Sequence, residues 1–102
     1  MSRMQQLHQL LSKTPDDPFL LYGIALEHKK AGEPQQAVEF LNKTIAVDAG
    51  YCYAYYQKGQ IYESIDDYDA ARGAYQAGLA AAKTAGDAHA ASEIEAALEA
   101  LD

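Results

Sequence analysis

The residues able to do acid–base, nucleophilic or metal chemistry are few and scattered along this chain. His8, His28 and His89 stand far apart, and no pair has the i, i+4 spacing that sets two imidazoles on one helix face for zinc. Ser2, Ser12, Ser64 and Ser92 are the only serines, and none lies in the Gly-flanked turn that sharpens a nucleophile. Gly23, Gly73 and Gly78 fall inside helical segments, so no Gly-rich loop forms to cradle a phosphate. Asp66, Asp67 and Asp69 are similar to a fragment of a calcium loop, but the later Gly and Glu of that loop are missing. The same three acids fit a solvated turn that caps the next helix. The lone Cys52 cannot form an intrachain disulfide and lacks partners for a metal site; it reads as a small packing or surface residue. His28 reads as a core or half-buried packing residue. The expectation is no enzyme, no cofactor and no metal.

Composition and charge narrow the partners. A chain of 102 residues is expected to form one domain. Eight Lys and Arg against fifteen Asp and Glu leave a net charge of −7, which argues against a nucleic-acid binder, whose affinity rests on cations meeting phosphates. It argues equally against an anionic membrane surface. The longest apolar run, Phe19 to Leu26, falls far short of the ~20 residues of a membrane span. Arg3, Gln5, Gln6, His8 and Gln9 interrupt any secretory leader, so a cytoplasmic setting follows by default. The starting Met1 and a capping last helix favour a complete small chain.

Twenty Ala, with Leu, Glu and Lys, lean the chain towards helix. Three loop signals divide it: Thr14-Pro15-Asp16-Asp17-Pro18, Ala31-Gly32-Glu33-Pro34 and Thr84-Ala85-Gly86-Asp87. Asp48-Ala49-Gly50 and Asp66-Asp67 are weaker breaks. Six helices are expected between them. The first carries an apolar stripe of Met4, Leu7, Leu10 and Leu11. The second is capped by Asp17, opened by Pro18 and stopped by Gly32. Pro34 opens the third; the fourth runs from about Tyr51 to Ser64; the fifth starts near Asp67. The sixth follows the cap Asp87, with Ala90, Ile94, Ala97 and Leu101 inward and Glu95, Glu99 and Asp102 outward. Tyr51 to Tyr56 has aromatic content that also suits a strand, but no second strand exists to pair with it.

The chain repeats itself at 34 residues. Leu21 aligns with Tyr55, Ala25 with Gly59, His28 with Tyr62, Ala37 with Ala71, Leu41 with Tyr75 and Ile45 with Leu79. Small meets small and large meets large, the pattern of a hairpin whose two helices approach over a small residue.

On these residues the chain resembles the tetratricopeptide repeat family. The second unit is the better match: Tyr55, Gly59 and Tyr62 on its first helix, Asp67-Tyr68 at the turn, and Ala71, Tyr75 and Leu79 on its second. The departures are His28 for the usual Tyr, Asp66 at a turn position that usually has Gly, Ala49 at the closing Pro, and Thr44 and Gly78 where Ala is usual. The resemblance implies an all-α, short right-handed helical-hairpin solenoid in a single domain, 1–102. Within it, 1–15 is an N-terminal half-repeat helix, 18–50 the first repeat, 52–85 the second, and 87–102 a C-terminal capping helix. Two full repeats with two single helices barely meet the ~3 units that stacking needs, so modest stability is expected.

In this family the first helices of successive repeats line a concave groove. Carried over residue by residue, the groove positions are Phe19, Tyr22, Leu26 and Lys29, then Tyr53, Tyr56, Gln57, Gln60 and Glu63. Some members hold a chaperone's C-terminal carboxylate with Lys, Asn and Arg there; Tyr22, Leu26 and Gln57 occupy the matching positions here, so that clamp is missing. The second helix is apolar nearly all round, where a surface helix should have a polar face. Such exposed aromatics form a patch that suits a peptide, because Tyr offers much contact area at low entropic cost. The alternative is that the N-terminal helix and side-chain stacking bury much of the patch. Residues 1–51 carry six acids and five bases, whereas residues 52–102 carry nine acids and three bases. An apolar or basic segment of another protein would be steered to the second half, although an acidic surface also serves plain solubility. The expected function is non-enzymatic binding of a protein segment. The alternative is a homodimer or larger self-assembly through the same patch, joined by Met1, Met4 and Leu10.

Overall fold

A computed structural model describes all 102 residues, Met1–Asp102, as six α-helices with no strand. They group into two compact units, residues 1–48 and 49–102. The first unit holds α1 (Arg3–Lys13), α2 (Pro18–Lys30) and α3 (Pro34–Val47). The second holds α4 (Cys52–Ser64), α5 (Tyr68–Ala85) and α6 (Ala88–Glu99).

Local chemistry places the helix ends. Ser2 and Gln5 form a reciprocal capping box on α1. The Asp17 carboxylate accepts from the Phe19 and Leu20 amides, with Pro18 in the first turn of α2. Asp67 and Asp87 do the same for the Ala70 and Ala90 amides. All three acids at the α4–α5 turn have partners: Asp67 caps, Asp66 accepts from the Tyr68 hydroxyl at 3.1 Å, and the exposed Asp69 pairs with Arg72 at 3.7 Å.

The turns inside the two hairpins share one backbone demand. Gly32 has φ 74° and Asp66, one repeat later, has φ 62°. A left-handed residue with a Cβ costs about 1 kcal/mol, which glycine avoids. Asp66→Gly is therefore expected to stabilise the second unit by roughly 0.5–1 kcal/mol, and a thermal melt that shows a lowered midpoint would contradict this reading of the turn.

In the first unit α2 packs on both α1 and α3. Leu7, Leu20 and Ile24 form one buried cluster, flanked by Met4, Leu11 and Phe40. Leu21, Ala25, Ala37 and Leu41 are also buried. Thr44 is fully buried, and its Oγ1 donates to the Phe40 carbonyl at 2.8 Å, so its hydroxyl carries no unmet bond. His28 is a packing residue: its ring stacks on Phe40 at 5.5 Å and its Nδ1 meets Glu33 Oε1 at 2.9 Å. The stripe expected on α1 is narrower than its sequence suggests. Only Leu7 is buried, while Leu10 is 51% exposed, because Leu7 sits over Gly23 of α2 and leaves Leu10 off that line of contact.

In the second unit α5 lies against α4 and α6. Its core joins Cys52, Ala71, Tyr75, Ala82, Ala90 and Ile94. Gly59 faces the Tyr75 ring so closely that a Cβ would lie 2.5 Å from Cδ1 and Cζ. Gly78 passes between Tyr55 and Ile94, where a Cβ would stand 2.6 Å and 3.3 Å from their nearest atoms. Glycine here serves close approach rather than backbone freedom. Burial pushes the fully buried Tyr75 phenol well above its ordinary range, and its bond to the Glu63 carboxylate adds to the rise. On α6, Ala90 and Ile94 are buried, Ala97 is half-buried, and Glu95 and Glu99 are exposed; the helix ends at Glu99, so the half-buried Leu101 and exposed Asp102, expected on its two faces, follow it in a turn.

Candidate interaction surfaces

On α2 the inner positions are taken by Leu20, Leu21, Ile24 and Ala25. Phe19, Tyr22, Leu26 and Lys29, spaced three, four and three residues apart, share the remaining stripe. Phe19 is 65% exposed; Tyr22, Leu26 and Lys29 are half-buried. Burial lowers the Lys29 ammonium below its usual range.

On α4, Tyr53, Tyr56, Gln57, Gln60 and Glu63 form the corresponding stripe, and all five are half-buried. Here the aromatics do two things. The Tyr53 hydroxyl donates to Glu93 Oε1 of α6 at 3.1 Å. The Tyr53 and Tyr56 rings meet edge to face at 6.2 Å, and Tyr56 leans at 6.0 Å on Tyr75. Tyr53 and Tyr56 thus pack against the second unit's core while part of each ring stays open. Glu63 is held by the Tyr75 hydroxyl.

Sequence reasoning passed over Glu93, whose partner lies 40 residues away with no local pattern to announce it. It also passed over Lys58, half-buried on α4 and lowered in pKa by burial. The repeat carried a signal for this residue, since Lys58 stands 34 residues after the fully buried Ile24.

No group of three or more His, Cys, Asp or Glu comes together to hold a metal ion. A groove of about 460 Å³ in the second unit is lined by Ala49, Gly50, Tyr55, Ala77, Ala80, Ala81, Thr84 and Ala85, without a carboxylate, imidazole or amine for acid–base work. No helix is long and apolar enough to cross a membrane.

Comparison with known proteins agrees with this architecture. A family model of the tetratricopeptide repeat matches residues 53–85, the span of the second hairpin. A TPR repeat-containing protein of Pseudomonas aeruginosa is 30% identical over 99 residues, covering 97% of this chain and 94% of that protein. The solution structure of a tetratricopeptide repeat domain protein from Salinibacter ruber matches with a TM-score of 0.80 and 31% identity, covering 86% of this chain and 89% of that one. The crystal structure of PcrH in complex with the chaperone binding region of PopD matches at a TM-score of 0.88 over 96% of this chain and 74% of that one. Its 17% identity makes that a likeness of fold. The repeat pairing, the two hairpins and a relative alike over nearly its whole length place this chain in the tetratricopeptide repeat family.

Proposed function

We propose that this chain is a non-enzymatic protein-interaction module that holds an apolar or basic segment of another protein. The contacting residues are Phe19, Tyr22, Leu26 and Lys29 on α2, and Tyr53, Tyr56, Gln57, Gln60 and Glu63 on α4. The observation that carries the reading is Phe19, a large aromatic 65% exposed on a helix that lacks a polar face. Apolar side chains of the ligand bury against these rings, and the Gln57 and Gln60 amides, with donors and acceptors both, bond to its backbone. The second unit carries three bases and nine acids, against five and six in the first, so a cationic segment is drawn to it. The PcrH complex supports the reading by analogy of fold: that protein holds a region of another chain.

The test compares capture from the source organism's lysate by the native chain and by a folded Tyr22→Ala, Tyr56→Ala double variant. The native chain is expected to retain a protein that the variant loses by tenfold or more. Equal retention by both would remove the site from these helices. Phe19→Ala, at an exposed position, reports on α2 with the core untouched.

A second reading is self-association through the same surface. It is favoured by Met1, 76% exposed, and Leu10, 51% exposed, at the first helix. A monomer by light scattering at high micromolar concentration would eliminate it.

A further inference from the structure

One face of the second unit combines aromatic surface with oriented negative charge. Tyr53 and Tyr56 stand on α4 with their rings partly open. Each end of this aromatic pair is flanked by a half-buried carboxylate held by a tyrosine hydroxyl. Glu93 receives the Tyr53 hydroxyl on Oε1, and Glu63 receives that of the fully buried Tyr75 on Oε2. Each bond orients its carboxylate while leaving the other oxygen to accept from a cation. The exposed His89 also meets Glu93 Oε1, on the oxygen already taken. Tyrosine faces attract guanidinium and ammonium groups, and the unit carries three bases against nine acids.

We infer that this face receives an extended protein segment bearing two arginine or lysine side chains, one at Glu93 and one at Glu63, with an apolar side chain midway between them on Tyr53 and Tyr56. The inference rests on the interaction-module reading and names the ligand's chemistry. Geometry sets the spacing of the cations. Tyr53 and Glu63 are ten residues apart on one helix, about 15 Å along its axis at ~1.5 Å per residue. An extended chain covers that distance in about four to five residues at ~3.3 Å each, so the cations stand at i and i+4.

The test is an NMR titration of the intact chain with the capped pentapeptide Arg-Ala-Leu-Ala-Arg, whose two arginines and central leucine share one face when extended. The controls are Glu-Ala-Leu-Ala-Glu and the same-composition Ala-Arg-Arg-Leu-Ala. The spaced arginine peptide is expected to shift the amide resonances of Tyr53, Tyr56, Glu63 and Glu93. It should bind at least tenfold tighter than the acidic peptide and several-fold tighter than the adjacent-arginine one. Glu63→Gln and Glu93→Gln, each with an amide oxygen still able to accept from its tyrosine, should weaken it three- to tenfold. Glu95→Gln makes the same charge change at an exposed position on α6 and should leave affinity unchanged. Equal loss in all three variants would reduce the effect to net charge and overturn the assignment; so would equal binding of the three peptides, or no shift on α4 at millimolar peptide. A captured protein lost by Tyr56→Ala but kept by Glu93→Gln and Glu63→Gln would overturn the cation sites while leaving the module reading intact. Failure of the native chain to retain any protein would count against the module reading itself.

Discussion

Gly59→Ala is expected to destabilise the second unit by about 2 kcal/mol, although alanine is the better helix former by ~1 kcal/mol. The added methyl would lie 2.5 Å from two carbons of the Tyr75 ring. That ring is fully buried and tied to Glu63 through its hydroxyl, so it has little room to give. Overpacking of this kind costs ~1–3 kcal/mol, and a fixed aromatic places it at the upper end. The first unit shows the relieved arrangement. At the matching positions it has Ala25 and Leu41, both fully buried, a larger small residue against a smaller large one. Tyr75→Leu alone opens a cavity and is expected to cost ~2–3 kcal/mol. The double variant, which reproduces the first unit's pair, is expected to cost at least ~1 kcal/mol less than the sum. Urea unfolding of the four chains measures this coupling. Strict additivity would show that the Gly–Tyr and Ala–Leu pairs are not alternative solutions to one spacing between helices.

Ile94→Ala is expected to cost ~2–5 kcal/mol. Ile94 is the largest fully buried side chain of α6, and its Cδ1 lies 3.3 Å from where a Cβ on Gly78 of α5 would stand. Little else on α6 matches it: Ala90 is buried but small, and Ala97 and Leu98 are half-buried. The salt bridges of Arg72 with Asp69 and Asp102, at 3.7 and 3.4 Å, are exposed and contribute under ~1 kcal/mol each. Against a total stability of ~5–15 kcal/mol for a domain, loss of this one contact is a large fraction. Leu98→Ala on the same helix, half-buried at the outset, should cost less than half as much. Equal midpoints in urea for Ile94→Ala and the native chain would mean that α6 is dispensable to the second unit.

Much of the fold was legible because its signals are local. Pro18 and Pro34 open helices, Asp17, Asp67 and Asp87 cap them, and Gly32 and Gly86 adopt the positive φ that ends them. The 34-residue pairing also announced the size logic of the hairpins, since small Gly59 aligns with Ala25 and large Tyr75 with Leu41; packing decided that Gly59 and Tyr75 meet. Asp66 was legible as a departure from glycine, and its φ of 62° shows what that departure costs.

The surface was less legible. On α2, apolar residues run nearly all round, so periodicity alone cannot say which of them face inward; only packing shows Leu20, Leu21, Ile24 and Ala25 buried and Phe19 left open. On α1 the sequence offers four apolar residues, but the contact over Gly23 selects Leu7 and leaves Leu10 exposed. The sequence by itself determined six helices, their boundaries and the repeat that pairs them, because caps, turns and helical periodicity act within a few residues. Only the tertiary structure decided that the α4 tyrosines lean on Tyr75 and reach Glu93, because those contacts join residues 19 and 40 positions apart whose meeting depends on how whole helices pack.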